Sequence, residues 1–214
     1  RAGFHNADLT REDGKSFVAD LVPGPLPPVP GLSGVYYQPS SDQVFKITAP
    51  TFNFGADVGL GNNFRASGEY VRRMVKGIST GPDTESYYLS LLKQTDDWTP
   101  YLSYARIRSR NLALYQSVNS AQVLADPLNP AAVGTAAAIN AAANQRGAAD
   151  NMNMYDQYSW AIGTAYAINA KSKIKAEWMI VQTGAVSDFV DAPAGEDSGD
   201  RRINVYSLSY NFLF

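Results

Sequence analysis

The sequence predicts an all-β chain, an antiparallel transmembrane β-barrel of the outer-membrane type with short periplasmic turns and long extracellular loops. Three observations predict it. Apolar residues recur at every second position through most of the chain, the period of a strand with two unlike faces. The connections between these segments alternate between short and long. Mean hydropathy is -0.24, and no apolar run approaches the roughly 18 residues that a membrane helix needs. Alternating strands escape such averages, so a helical membrane protein is excluded and a barrel is not.

Composition narrows the function classes. The chain has 214 residues, 45% hydrophobic and 18% charged, too apolar for disorder and long enough to bury a sizeable core. It has no cysteine, which excludes a disulfide scaffold, a thiolate metal site and a Cys nucleophile. A single histidine leaves little room for His-based metal chemistry, and a net charge of -2 gives no footprint for nucleic acid. Aromatic residues make up 12%, with 13 Tyr against 9 Phe, and tyrosine favours membrane–water interfaces. The chain opens on Arg1 without a charged-then-apolar leader, so an export signal is expected to have been removed or to lie outside these residues.

In chain order, Arg1 to Thr10 is a weakly patterned first strand. Arg11 to Phe45 holds Pro23, Pro25, Pro27, Pro28 and Pro30 and reads as a long extended or irregular loop. Phe52, Phe54, Ala56, Val58 and Leu60 then alternate with Thr51, Asn53, Gly55 and Asp57. Phe64, Ala66, Gly68, Tyr70 and Met74 alternate with Arg65, Ser67, Glu69 and Arg73; Arg72 falls on the apolar face, tolerable only near an interface. Tyr87, Leu89 and Leu91 alternate with Ser86, Tyr88, Ser90 and Gln94. In the following strand Ser103, Ala105 and Ile107 form a small outer face against Leu102, Tyr104, Arg106, Arg108 and Arg110, the least clean pattern of the set.

The second half is clearer. Tyr158, Trp160, Ile162, Thr164, Tyr166 and Ile168 oppose Ser159, Ala161, Gly163, Ala165 and Ala167. Ile174, Ala176, Trp178 and Ile180 oppose Lys173, Lys175, Glu177 and Met179. From Arg201 onward Tyr206, Leu208, Tyr210, Phe212 and Phe214 share one face, and Ile203, Val205, Ser207, Ser209 and Asn211 the other. Gly59 to Asn63, Asp96 to Pro100 and Asn169 to Ser172 are tight polar turns. Between them lie the longer connections Arg11 to Phe45, Gly77 to Asp83, Asn111 to Tyr155 and Ala185 to Asp200. Counted back from the C-terminus, every short turn falls at the end that carries Phe214. The segment Ala131 to Ala143, after Pro130, has high helix propensity and makes residues 111–155 a candidate constriction or external lid.

The ending Tyr206-Ser207-Leu208-Ser209-Tyr210-Asn211-Phe212-Leu213-Phe214, with apolar residues at every second position, resembles the assembly signal of Gram-negative outer-membrane porins. Trp98-Thr99-Pro100-Tyr101-Leu102-Ser103-Tyr104-Ala105-Arg106 resembles a turn and strand common in proteobacterial porins. With the strand rhythm, the resemblance covers most of residues 46–214 and is to the C-terminal portion of such a barrel, so residues 1–214 read as one barrel domain cut from a larger one. It implies a passive channel for small hydrophilic solutes or ions, without enzymatic activity or cofactor, in the outer membrane of a Gram-negative bacterium. Implied partners are outer-membrane lipid and lipopolysaccharide, the barrel-assembly machinery, and a homotrimer. The loops carry no resemblance, so the solute is not implied.

The candidate pore residues are charged. Arg106, Arg108 and Arg110 share one strand face, and a triple arginine facing lipid costs several kcal/mol near the midplane, so they face the lumen or sit beyond the membrane. If lumenal, they join Arg65 and Arg73 in a positive wall, with Glu69, Asp57 and Glu177 opposite, and such walls bias ion entry. A salt-bridged interior without selectivity is the plainer alternative. Trp98, Tyr101, Tyr158, Trp160 and Trp178 read as interfacial belt residues. The acidic group Asp188, Asp191, Glu196, Asp197 and Asp200 lacks the spacing of a calcium loop and reads as a solvated loop. His5 has no nucleophile motif near it and reads as a surface histidine. Rival readings are a closed eight-stranded barrel acting as anchor or adhesin through its loops, a soluble lipid-binding barrel with its aromatics inward, and a membrane hydrolase that would need His5.

Overall fold

A computed structural model describes residues 1–18, 20–24, 36–81, 83–120, 152, 154–187, 190 and 199–213. Phe214, the segment Ala131 to Ala143, and Asp188, Asp191, Glu196 and Asp197 lie outside the described residues.

Eight long strands make one antiparallel sheet in which each strand pairs with its neighbours in sequence. They are β1 (Ala2–Thr10), β6 (Lys46–Gly61), β7 (Phe64–Arg73), β8 (Thr84–Lys93), β9 (Trp98–Ser109), β10 (Tyr155–Asn169), β11 (Ser172–Ser187) and β12 (Arg202–Phe212). The pairing runs β1-β6-β7-β8-β9-β10-β11-β12, and β1 and β12 are its two edges. Strict up-and-down order puts the turns β6–β7, β8–β9 and β10–β11 at one end and the long connections at the other, as the sequence predicts. The β6–β7 turn uses Gly61, Asn62 and Asn63 at φ of 85°, 48° and 63°, a left-handed path that glycine and asparagine adopt most cheaply.

Pro25, Pro27, Pro28 and Pro30 lie outside the described residues, but the described parts of the first long connection hold short strands where an extended or irregular loop is expected. Within it β2 (Phe17–Val18) pairs with β5 (Gln43–Val44), and β3 (Leu21–Gly24) with β4 (Tyr36–Pro39). Pro23 and Pro39 are tolerated because in a two-stranded ribbon every strand is an edge and a missing N–H can point away from the partner. After β9 the chain forms helix α1 (Leu112–Ser120), which precedes the Ala-rich segment where helix was expected. Asn111 ties its start to the neighbouring connection, donating from Nδ2 to the carbonyls of Ser79 (2.5 Å) and Gly81 (2.8 Å).

The buried hydrophobic cluster lies in these connections rather than under the sheet. Leu21, Leu112, Val118, Met152, Met154 and Val186 pack together, with Tyr37, Leu114 and Tyr115 against them. The cluster joins β3, α1, the approach to β10 and the end of β11. Further links lace the same end: Ser79 N–H to Asp20 Oδ1 (3.2 Å), Arg110 N–H to the Asp83 carbonyl (2.8 Å), and Tyr155 N–H to Ser109 Oγ (2.9 Å).

Candidate functional site

The register decides which side chains share a face, because directly opposed residues point the same way. One face is aromatic and apolar. Its central row runs Ala66–Leu91–Leu102–Ile162–Trp178–Tyr206. Toward the long connections come Gly68–Leu89–Tyr104–Trp160–Ile180–Asn204 and then Tyr70–Tyr87–Arg106–Tyr158–Gln182–Arg202. Toward the short turns lies Trp98–Tyr166–Ile174–Tyr210. These side chains stay open: Leu208 is 77% exposed, Tyr206 75%, Phe54 63% and Leu89 60%. Tilted aromatic pairs, Trp98–Tyr166 at 4.7 Å and Tyr104–Trp160 at 4.8 Å between centroids, knit adjacent strands across it.

The opposite face is small and polar. Its rows run Asp57–Ser67–Ser90–Ser103–Ala161–Met179–Val205 and Gly59–Arg65–Leu92–Tyr101–Gly163–Glu177–Ser207. Where the strands approach the long connections, Ile47, Thr84, Ser109, Val181 and Thr183 are buried, all on this face; Pro50, on the aromatic face, and Val186, at the end of β11, are buried as well. The connections therefore cover mainly the small-residue face.

Three carboxylates on this face are paired locally. Arg65 donates twice to Asp57, Nε to Oδ1 at 2.5 Å and Nη2 to Oδ2 at 2.8 Å, a bidentate fork. Glu69 accepts from Arg1 Nη2 at 2.9 Å and from Asn53 Nδ2 at 3.3 Å. Glu177 accepts from the Tyr101 hydroxyl at 2.5 Å and pairs with Lys175 Nζ at 3.1 Å, while that ammonium sits 5.0 Å over the Tyr101 ring. Gly163, between Tyr101 and Glu177 in the row, makes this possible. A Cβ there would overlap the Tyr101 ring and lie 2.7 Å from the Ala176 carbonyl, so only glycine lets the ring lie flat across the strand. At mid-height the Ser90 and Ser103 hydroxyls bond each other at 2.6 Å.

The structure thus divides the sequence-selected residues. Arg65, Arg73, Glu69, Asp57 and Glu177 all belong to the small-residue face. Arg73 is eight positions from Arg65 on β7, about 27 Å along the strand, so the two do not form one positive patch. Arg106 and Arg108 lie on the aromatic face, opposite Tyr87 and Glu85, and Arg110 follows the end of β9. The ladder is therefore not beside Arg65 and Arg73; it lies on the opposite face, at the end of the sheet that meets the long connections. Ser103, Ala105 and Ile107, expected as a small outer face, are part of the small-residue face. Tyr101 leaves the aromatic belt for the same reason of parity. Tyr206, Leu208, Tyr210 and Phe212 share the aromatic face, as the alternation predicts.

Lys175 and Tyr101 were not singled out as a cluster from sequence, since nothing along the chain joins residues of β9 and β11 across β10. Only the aromatic preceding Ser103 by two residues and the Lys-Ala-Glu alternation hinted at it. His5 lies opposite Thr51 on the small-residue face and is exposed. Among the described residues no group of three His, Cys, Asp or Glu could hold a metal.

No protein-family model, curated protein or solved structure matches the chain.

Proposed function

We propose that this sheet is wall of an outer-membrane barrel whose small-residue face borders a water-filled pore and whose aromatic face meets lipid, and that the pore passes small hydrophilic solutes by diffusion. The observation that carries this reading is the contrast between the two faces across the middle of the long strands, where the row Leu91–Leu102–Ile162–Trp178–Tyr206 backs the row Ser90–Ser103–Ala161. A contiguous exposed apolar face of this extent is unfavourable in water and favourable in hydrocarbon. On β10 the aromatic face runs from Tyr158 to Tyr166, eight residues on, about 27 Å along the strand and about 21 Å when tilted by roughly 40°. That height approaches the ~25 Å apolar band of outer-membrane barrels, and tyrosine and tryptophan stand at both its ends as interfacial residues do.

Small side chains on the other face leave room for water, and the connections folded over that face supply a constriction. β1 and β12 are open edges among the described residues, and backbone groups left unsatisfied in lipid are costly, so this reading requires both edges to be paired in the membrane. Local neutralisation of Arg65 by Asp57 and of Lys175 by Glu177 points to weak ion selectivity rather than a charged filter. Outer-membrane location, the assembly machinery as partner and a homotrimer follow from the porin resemblance.

The test is single-channel conductance of the detergent-folded, full-length chain in a planar bilayer, with the reversal potential measured in a salt gradient. Discrete steps with a permeability ratio near one are expected. Insertion without steps would refute the pore and favour an anchor acting through its loops.

A further inference from the structure

The small-residue face is hollowed just below the long connections. A cavity of about 330 Å³ spans β7–β10 there, within the size range of small-molecule pockets. In the row above it, Arg73–Thr84–Ser109, Thr84 and Ser109 are buried; the row of the Ser90–Ser103 hydroxyl pair lies below. Its apolar lining is Val71, Ala105 and Ile107, and its uncharged polar groups on this face come from Ser86, Tyr88, Gln157 and Ser159. Pairing fixes them in two adjacent rows, Val71–Ser86–Ile107–Gln157 and Glu69–Tyr88–Ala105–Ser159. The Ser86, Tyr88 and Ser159 hydroxyls make no hydrogen bond among the described residues, and Tyr88 is exposed. Gln157 Oε1 accepts from Ser187 Oγ, which orients the amide and leaves Nε2 to donate. Of the lining residues only Glu69 and Arg106 are charged. Glu69 accepts from Arg1 Nη2 and Asn53 Nδ2, and Arg106 bonds Asp156 on the aromatic face. Arg73, one row higher, is not part of the lining.

We propose that this cavity is a subsite for a neutral, polyhydroxylated solute of hexose size, one stop on the path through the pore. The proposal rests on the reading that the small-residue face borders a pore, and it names the solute class that this reading leaves open. A hydroxyl both donates and accepts, so Ser86, Tyr88 and Ser159 with the Gln157 carboxamide match ligand hydroxyls in either sense. An ion would need charge of one sign, and both lining charges are already met. The Tyr88 ring, apolar in its body and polar at its tip, joins Val71, Ala105 and Ile107 as a surface for the C–H face of a sugar ring. Ligand hydroxyls exchange with water on these groups at little net cost, which keeps binding weak enough for release into the channel.

The experiment is saturation-transfer NMR of the detergent-folded, full-length protein with three probes of like size, glucose, glucuronate and glucosamine. Conductance in a planar bilayer is measured beside it, with glucose added. Saturable transfer to glucose is expected, at least about fivefold tighter than to either charged probe, and glucose should reduce the conductance over the same concentration range. Tyr88→Phe keeps the ring and deletes one hydrogen bond, and should weaken glucose about fivefold. Tyr70→Phe, the same change on the aromatic face, should leave it unchanged. Heat-modifiable gel mobility identifies folded variants, and the three-probe comparison on the wild-type protein does not depend on them. Absence of transfer to glucose overturns the proposal. So does tighter binding of glucuronate, which would assign the cavity to anions beside Arg73, or of glucosamine, which would assign it to cations at Glu69. An equal effect of Tyr88→Phe and Tyr70→Phe would place the sugar elsewhere and overturns it too. Conductance separates the two readings: a protein that conducts but does not bind glucose loses only the subsite. One that inserts without conducting loses the pore and the subsite with it.

Discussion

Leu102 and Ser103 are adjacent on β9, at mid-height of the sheet, and point to opposite faces, so one substitution at each separates the environments of the two faces. Leu102 is 46% exposed in the row with Ile162 and Trp178. If that face meets hydrocarbon, Leu102→Arg places a guanidinium near the midplane at a cost of about 2–4 kcal/mol. Because ~1.4 kcal/mol is tenfold, the folded-to-unfolded ratio should fall between about 30-fold and several hundred-fold. Ser103→Arg instead puts the charge on the small-residue face. There it loses the 2.6 Å bond to Ser90, worth about 1 kcal/mol, and gains hydration for the guanidinium. Equilibrium unfolding by guanidinium chloride in lipid vesicles, followed by tryptophan fluorescence, gives both values. The same Ser103→Arg protein should show reduced conductance. A loss for Leu102→Arg within about 0.5 kcal/mol, the usual range for an exposed site in water, refutes the lipid-facing assignment. A larger loss at Ser103 than at Leu102 would reverse the two faces.

Other outcomes follow from the same geometry. Glu177→Gln leaves Lys175 without its carboxylate, and the reversal potential should move toward anion preference, an effect that shrinks as salt rises from 0.1 to 1 M on the scale of roughly one Debye length. Met154→Ala removes a fully buried side chain from the loop cluster and should cost about 2–5 kcal/mol locally; limited proteolysis should cut the long connections faster while the sheet keeps its circular dichroism. In the first long connection, Arg11 Nε and Nη2 donate to Asp13 at 2.9 and 2.7 Å, and with the Lys15 amide they hold the Asp13 carboxyl below the ordinary aspartate range. A depressed carboxylate contributes order above its ordinary value and loses it as pH falls through its lowered one. An NMR titration should therefore place the Asp13 midpoint below that of a model peptide, and Arg11→Gln should restore most of the difference.

Much of the sheet is legible in the chain because alternation is a local property. From Tyr155 to Phe212 the strands are long and their apolar sets large, so the aromatic face and the single tight turn at 170–171 read directly. The Pro-rich connection was harder, since ribbons of two to four residues carry too few positions for any period to emerge. Helix α1 was missed because it begins two residues after Arg110, where the arginine pattern draws attention to a strand.

Charge is where local reading and fold part. From sequence alone, Arg106, Arg108 and Arg110 are known to share a face, and so are Arg65, Glu69 and Arg73, because successive side chains of one strand must alternate. Whether two such sets meet depends on the parity of pairing between strands, and a slip of one residue inverts the answer. Tertiary structure chose it: Ser90 opposite Ser103 and Leu91 opposite Leu102 bring small residues to one side and apolar ones to the other, which carries Arg106 and Arg108 to the aromatic face. The alternation within each strand was determined by the sequence, through the fixed pleat of the backbone. The joining of strands into a two-faced wall was decided by long-range register alone.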